Sequence, residues 1–142
     1  ADVAIVYLDE HEDAETTRQA VAAYGRRCLA IAGDLSHESF CQEVIQKVID
    51  EYGQLDILIN NAAQQFLEED IASIDQARLE QVFGSNVFSM FYLIKAALPH
   101  LKPGSSIINT TSVVAYKGNP SLLSYSSSKG AILALTRSLA QP

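Results

Sequence analysis

The chain has 142 residues, 48% of them apolar, which is enough for one globular domain with a substantial core. Ten Lys and Arg residues against seventeen Asp and Glu residues give a formal charge of −7, so neither nucleic acid nor an anionic membrane surface is an expected partner. The chain shows no run of eighteen apolar residues and no charged-then-apolar leader, so we expect a cytoplasmic protein without a membrane span.

The cysteines and histidines do not suggest a metal site. Cys28 and Cys41 have no metal-binding spacing, and we expect both to be buried, reduced thiols. The three histidines form no His-Glu-x-x-His motif, so no metal ligands are assigned.

The first half of the chain alternates short apolar runs with helical patterns. Residues 3–8 predict a strand buried on both faces. Residues 11–24 predict a helix with Gly25 at its C-terminal cap, and residues 28–32 predict a second strand. Ser36 is the expected N-cap of an amphipathic helix that follows.

The second half repeats this alternation. Residues 55–59 predict the third strand. The spacing of Ser73 and Gln76 is that of a capping box and predicts a long helix that reaches about Leu98. Residues 106–110 predict the fourth strand, and residues 121–140 predict the last helix.

This order of elements predicts an α/β fold. Each predicted strand is an unbroken apolar run, which is typical of a doubly wound parallel sheet with helices on both faces, a Rossmann-like three-layer α/β/α arrangement. Ligands bind such sheets beyond the carboxyl ends of the strands. The polar residues that follow the predicted strands are Asp9, Asp34, Asn60, Asn61, Thr110, Thr111 and Ser112.

Tyr125 and Lys129 share one face of the last predicted helix because they are four residues apart. Alone, such a pair is weak evidence, since a solvated helix pair or a core Tyr beside a snorkelling Lys has the same spacing. Ser112 at a strand end, Asn86 in the long helix and the segment after the third strand make a functional interpretation more favourable.

These residues together resemble a known family. Asn60-Asn61-Ala62-Ala63, Asn86, residues 107–112 and Tyr125-Ser126-Ser127-Ser128-Lys129 are similar, in this order, to the motifs of the classical short-chain dehydrogenase/reductase family. The resemblance covers essentially the whole chain, and bacterial general-stress and polyol or sugar dehydrogenase-like members are the most similar. Extended members, which usually lack the Asn-Asn-Ala segment, and enoyl reductases, which space their Tyr and Lys by six, fit less well.

The resemblance implies an oxidoreductase that transfers a hydride between NAD(P) and a small alcohol, polyol, sugar or ketone, with Tyr125 as general acid and base. A phenol is a poor base at neutral pH because its ordinary pKa is near 10. An ammonium about 4 Å away, at an effective dielectric constant near 20, supplies roughly the 4 kcal/mol needed to ionise a phenol near neutral pH. Lys129 is therefore the group that makes a phenolate accessible.

The resemblance assigns further roles to the same set. Tyr125 and Lys129 would also contact the cofactor, with Lys129 holding the ribose hydroxyls. Ser112 would hydrogen-bond the substrate oxygen, and Asn86 would hold a water that relays protons to Lys129. Ser112 as a simple turn cap and Asn86 as a helix-kink residue are the alternatives.

Five residues are expected on the adenosine side of the cofactor. Asp34 and Leu35 resemble the pair that contacts adenine, and the alternative is an Asp that only supports the turn before an N-cap. Asn60, Ala62 and Ala63 would let the backbone approach the cofactor, with Ala63 standing where the family usually has Gly.

The end of the first predicted strand bears on cofactor choice. An acidic residue there accepts from the ribose 2′-hydroxyl and repels a 2′-phosphate, whereas Arg favours the phosphate. Neither Leu8 nor Asp9 is basic, so NAD is favoured over NADP with Asp9 as the contact, although the family's acidic position corresponds to Tyr7.

Two parts of the family pattern are not found in these residues. In the family a Gly-rich turn that binds the pyrophosphate precedes the segment that begins at Ala1, and a later strand and a closing loop follow Pro142. The missing first strand would lie between the strands near Val3 and Leu55 and would leave two sheet halves with unpaired edges. We therefore expect residues 1–142 to be a single partial NAD(P)-binding domain of a longer polypeptide, or else a fragment without cofactor affinity of its own.

Alternatives to a dehydrogenase are a catalytically silent nucleotide-binding or regulatory module and an NAD-dependent epimerase or dehydratase. The combination of Asn86, Ser112, Tyr125 and Lys129 counts against a silent module. Apolar residues on several faces of the two long helices predict packing between subunits, and the resemblance implies a homotetramer or dimer. The residues expected to flank the substrate are Gln64, Gln65, Phe66, Val113, Val114 and Tyr116.

Overall fold

The computed structural model describes residues 1–141. Its strands are β1 (Val3–Tyr7), β2 (Cys28–Ala32), β3 (Ile57–Asn60) and β4 (Ser106–Asn109). Its α-helices are α1 (His11–Ala23), α2 (Glu38–Tyr52), α3 (Gln76–Phe83), α4 (Ser89–Ala97), α5 (Val114–Lys117) and α6 (Leu123–Leu139). A π-helical turn (Gly84–Phe88) joins α3 to α4, and 3-10 turns lie at Ile71–Ser73 and Leu98–His100.

The strands form two parallel pairs. In the first pair Val3 lies opposite Cys28 and Tyr7 opposite Ala32, and in the second Ile57 lies opposite Ser106. Within residues 1–141 no hydrogen-bonded ladder joins β1 to β3, and both strands line a cleft of about 710 Å³. The prediction of two sheet halves with unpaired edges is confirmed.

Helices lie on both faces of the β1–β2 pair, which confirms the three-layer α/β/α prediction. Val6, Leu29 and Ile31 point into the main core together with α2, α4 and α6. Helix α1 packs against the same two strands, and its buried residue Ala14 lies outside that core. Alternate side chains of a strand point to opposite faces, so α1 forms the layer opposite the main core.

The β3–β4 pair is covered on one face only by residues 1–141. Leu58 is buried in the main core, whereas Ile57, Ile59 and Ile108 are 53%, 59% and 49% exposed. The expectation that each strand is buried on both faces is therefore wrong for this pair. The sequence pattern is that of a strand with both faces packed against other elements. The described residues pack against only one face of this pair.

Several helix ends differ from the sequence prediction. Helix α2 begins after His37 and not after Ser36. Helix α3 has Asp75 as its N-cap, because the Asp75 carboxylate accepts from the Arg78 amide at 2.8 Å, while Ser73 belongs to the preceding 3-10 turn. Ser73 and Asp75 are both good N-cap residues, so only the chain path selects between them, whereas His37 makes no side-chain capping hydrogen bond.

The predicted long helix is one helical stretch from Gln76 to His100. By length and composition alone it could cross a membrane, but half of its most apolar window is buried inside the fold. Its α4 part packs against α2, with Met90, Leu93 and Ile94 in the main core. These contacts are those of a core helix.

Candidate active site

Tyr125 and Lys129 lie one turn apart on α6, next to the end of β4. Lys129 is 1% exposed, and its Nζ is 5.5 Å from the ring centroid of Tyr125. The Lys129 Nζ donates to the Thr110 carbonyl oxygen at 2.9 Å, and the Thr111 hydroxyl donates to the Lys129 carbonyl oxygen at 2.8 Å. The two side chains therefore converge as the sequence predicts.

Burial lowers the pKa of Lys129 from its ordinary value of 10.5, because desolvation disfavours the ammonium form. A cation that water screens poorly acts more strongly on its neighbours. The ammonium has three donors, and one is used on Thr110. The other two are available for a hydroxyl group or a water beside the Tyr125 ring.

Ser112 lies in the turn between β4 and α5. It is half-buried, and its Oγ accepts a long hydrogen bond of 3.4 Å from the Val114 amide. The hydroxyl thus caps the turn as an acceptor, and this contact leaves its proton free to donate elsewhere. The turn-cap interpretation and the catalytic one are compatible in this geometry.

Asn86 is fully buried within the π-helical turn. Its Oδ1 accepts from the Gln64 amide at 2.7 Å, and its Nδ2 donates to the Gln64 carbonyl oxygen and to the Ser128 hydroxyl at 2.9 and 3.0 Å. The Ser128 hydroxyl donates to the Tyr125 carbonyl oxygen at 2.7 Å. The Asn86 side chain therefore ties the loop after β3 to α6, and its predicted part in a water relay stays a prediction.

Asn60 begins a polar chain that links both strands of the second pair to α6. Its Nδ2 donates to the Asn109 Oδ1 at 2.9 Å, and the Asn109 Nδ2 donates to the Thr136 hydroxyl at 3.0 Å. Asn60 is 4% exposed, and within residues 1–141 its Oδ1 has no hydrogen-bond partner. Such an unpaired buried acceptor is unfavourable until a donor reaches it.

A second cavity, of about 260 Å³, lies at the carboxyl ends of β1, β2 and β3. It is lined by Val6, Tyr7, Leu8, Glu10, Gly33, Asp34, Leu35, Ala62, Ala63, Gln64 and Ser85. The small residues Ala62 and Ala63 leave the backbone accessible. Asp34 contributes a carboxylate to the lining, whereas the side-chain oxygen of Gln64 is buried out of reach of the cavity. This lining fits a flat group that carries N–H donors, as adenine does.

Of the acidic residues near this cavity, two line it and one does not. Asp34 lines it, and its Oδ1 also accepts from the Ser36 amide at 2.8 Å, so the turn-supporting alternative holds as well. Asp9 is exposed and outside the lining, whereas Glu10 is part of it. Backbone amides, with that of Asp9 foremost, lower the pKa of the Glu10 carboxyl. Glu10 has no distinguishing signal in the sequence, because a strand end does not indicate which of two adjacent acidic residues lines the cavity.

The residues expected around the substrate differ in how far they are buried and in the contacts they make. Val113 and Tyr116 are each 68% exposed, and Val114 is buried at the start of α5. The Arg78 guanidinium stacks on the ring of Phe66, 3.6 Å from its centroid, which fixes that ring beside the loop.

The sequence was compared with known proteins. A family model described as short chain dehydrogenase matches residues 1–142. General stress protein 39 of Bacillus subtilis is 53% identical over 141 residues, which are 99% of this chain and 49% of that protein. The NADPH-dependent aldehyde reductase 1, chloroplastic, of Arabidopsis thaliana is 48% identical over 146 residues, with 99% and 51% covered. The chain spans about half the length of the curated relatives it matches.

Solved structures have the same fold. A short chain dehydrogenase from Burkholderia cenocepacia in complex with NADP matches with a TM-score of 0.94 and 30% identity. The match covers 99% of this chain and 57% of that one.

Proposed function

The chain belongs to the short chain dehydrogenase family, and we propose that the full-length protein is an oxidoreductase that transfers a hydride between NAD(P) and an alcohol or carbonyl substrate. One observation carries this proposal. An ammonium group that is 1% exposed lies 5.5 Å from the centre of a tyrosine ring, held there by the Thr110 carbonyl. A buried cation beside a phenol has little structural value, because burying it is costly, but it favours the ionised phenol that proton transfer requires.

In this proposal the residues of the chain move and hold a proton. Tyr125 donates the proton to the substrate oxygen when a carbonyl is reduced, and accepts it when an alcohol is oxidised. Lys129 stabilises the phenolate, and the Ser112 hydroxyl donates to the substrate oxygen and orients it. The dinucleotide, when bound, supplies or accepts the hydride. Residues that would hold its adenosine half are Asp34, Leu35, Asn60, Ala62 and Ala63, with Glu10 or Asp9 near the ribose.

The proposed substrates are small aldehydes, ketones, polyols and sugars. The Arabidopsis relative is named as an aldehyde reductase, and the resemblance to polyol and sugar dehydrogenases adds the corresponding alcohols. The exposed side chains of Val113 and Tyr116 would form part of the wall around such a substrate.

The choice between NAD and NADP rests on charge. Glu10 and Asp34 line the cavity at the strand ends, and no Lys or Arg is part of that lining. Two carboxylates repel a 2′-phosphate, so the electrostatics favours NAD. The named relatives point the other way, since one is NADPH-dependent and another was solved with NADP. We propose NAD as the preferred cofactor, and the ratio of kcat/KM for the two cofactors measures it.

The proposal is tested with the full-length protein, both cofactors and a panel of aldehydes, ketones, polyols and sugars. We expect turnover with at least one pair, and a loss of roughly 10³-fold or more in kcat for Tyr125→Phe, since general acid–base catalysis contributes up to about 10⁴-fold. Tyr24→Phe is the matched control, because Tyr24 is 86% exposed. Activity that survives Tyr125→Phe contradicts the residue assignment.

The same assay separates the alternative functions. Cofactor binding without turnover of any substrate would indicate a silent nucleotide-binding module. Purified protein that retains NAD and converts a substrate without net redox change would indicate an epimerase or dehydratase.

Self-association and location are further proposals. Phe88, Phe91 and Leu98 on the long helix are 45%, 52% and 55% exposed, and contiguous exposed apolar side chains favour a subunit interface. We propose a homotetramer or dimer in the cytoplasm, with no nucleic-acid or membrane partner. Light scattering of the full-length protein measures the oligomeric state. That residues 1–142 form a single partial domain stays a prediction.

A further inference from the structure

The loop between β3 and α3 contains a buried carboxylate that the mechanism above does not use. Glu68 is 8% exposed. Within residues 1–141 no Lys, Arg or His makes an ion pair with it within 4.0 Å. A buried carboxylate without a cation is unfavourable unless hydrogen bonds satisfy its oxygens. The partners of Glu68 therefore show what the residue does.

Both carboxylate oxygens are satisfied by one residue at the start of α6. The Ser124 amide donates to Oε2 at 3.0 Å, and the Ser124 hydroxyl donates to Oε1. The backbone adds a third bond, from the Glu68 amide to the Ser121 carbonyl oxygen at 3.0 Å. Ser124 is 2% exposed, so the whole contact lies away from water.

Helix α6 depends on this contact because it has no cap of its own. Its N-cap residue is Leu122, whose side chain makes no capping hydrogen bond. The first amides of a helix have no partner within the helix, and a Leu N-cap cannot supply one. Glu68 satisfies the second amide of α6, and its negative charge is favourable at a helix N-terminus.

The contact is adjacent to the proposed catalytic groups. Ser124 directly precedes Tyr125, and Lys129 follows one turn later. The same loop is attached to α6 at a second point through Gln64 and Asn86, which donates to Ser128. Two attachments one turn apart along the helix restrict both its rotation and its sliding.

We propose that Glu68 is a positioning residue: by capping α6 through Ser124, it sets the placement of Tyr125 and Lys129 against the end of β4. This inference rests on the proposed oxidoreductase function. It predicts that Glu68 acts on the chemical step more than on cofactor binding, since it is not among the residues that line the cavity at the strand ends.

The test uses three variants of the full-length protein. Glu68→Gln keeps the size of the side chain but removes the charge and one acceptor oxygen, and Ser124→Ala removes the hydroxyl donor from the other side. Glu69→Gln is the matched control, because Glu69 is the exposed neighbour with the same charge. We expect kcat to fall about 10-fold in each of the first two variants, since displacing reacting groups slightly has effects of this order. KM should change less than about threefold, and Glu69→Gln should match the unmodified protein.

Two more readouts separate positioning from simple stability. The pH at which kcat is half-maximal should move in Ser124→Ala, where no charge is removed, because the distance from Lys129 to the Tyr125 phenol changes. The double variant should be no slower than the slower single variant, since residues that act through one contact are not additive. A lower melting temperature with kcat, KM and pH profile unchanged would overturn the positioning role.

Amide hydrogen exchange tests the capping of α6 by Glu68 and does not require enzymatic activity. The amides of residues 124–128 should exchange about 10-fold faster in Glu68→Gln than in Glu69→Gln, because uncapping frays the first turn. If the unmodified protein turns over no substrate, the proposed function fails while this comparison still reports on the cap. Equal exchange in both variants would overturn the inference even in an active enzyme.

Discussion

Replacing Lys129 by Met removes the charge of the proposed catalytic pair and keeps most of the side-chain volume. The Lys129 Nζ lies 5.5 Å from the Tyr125 ring centroid. A unit positive charge about 5–6 Å from a phenolate oxygen, at an effective dielectric constant near 20, stabilises the anion by about 3 kcal/mol. A free energy of about 3 kcal/mol corresponds to roughly 10²-fold in a rate that depends on this ion.

The assay is the pH dependence of kcat for alcohol oxidation by the full-length protein. We expect Lys129→Met to lower kcat near neutral pH by roughly 10²-fold and to move the rising limb to higher pH. Lys47→Met makes the same chemical change on the exposed face of α2 and should leave the profile unchanged. An unshifted limb in Lys129→Met would show that the buried amine does not act on the phenol.

The same variant gives a second, independent signal in stability. Burial lowers the pKa of Lys129 below its ordinary 10.5, so between these two values the unfolded chain binds more protons than the folded chain. The free energy of unfolding therefore rises with pH across this window, and below the window the full penalty of the buried charge is present. Lys129→Met should lack this rise, whereas Lys47→Met should retain it; denaturant unfolding between pH 7 and pH 10.5 measures the difference.

The two cysteines should differ in reactivity: Cys41 is 0% exposed and burial raises its pKa to about 11, whereas Cys28 is half-buried. Of these two thiols we expect only Cys28 to be labelled by a thiol reagent at pH 8, where a thiol like Cys41 is about 0.1% ionised; equal labelling of the peptides that contain Cys28 and Cys41 would contradict the burial. Reversing the charge at the cofactor cavity with Glu10→Arg should raise the NADP to NAD ratio of kcat/KM about 10-fold, because a carboxylate that repels the 2′-phosphate becomes a cation that attracts it. An unchanged ratio would show that Glu10 does not face the ribose.

The strands and long helices follow from local patterns. The second strand is found at the predicted bounds, Cys28–Ala32, because a short, unbroken apolar run is favourable as a strand when both of its faces are covered. Two helices end where glycines with positive φ, Gly25 and Gly53, follow them. The four-residue helix α5 was not predicted, since so short a helix has almost no periodicity to detect.

The sequence predicts which residues form the candidate site, but not the hydrogen bonds that join them. Motif spacing brings Tyr125 and Lys129 to one face, and the structure adds the Thr110 carbonyl that fixes the amine. Asn86 illustrates the limit most clearly. Its position in the motif order is visible in the sequence, but the use of its side chain to join Gln64 to Ser128 depends on three segments meeting.

Periodicity and spacing act between residues that are neighbours along the chain, so they suffice for the elements, the α/β class and the catalytic pair one helical turn apart. Packing between distant segments alone placed Glu68 against Ser124, Glu10 rather than Asp9 beside the cavity, and the exposed face of the β3–β4 pair. These features depend on which surfaces meet, and a carboxylate in a loop has the same local surroundings whether it is solvated or capping a helix 56 residues away.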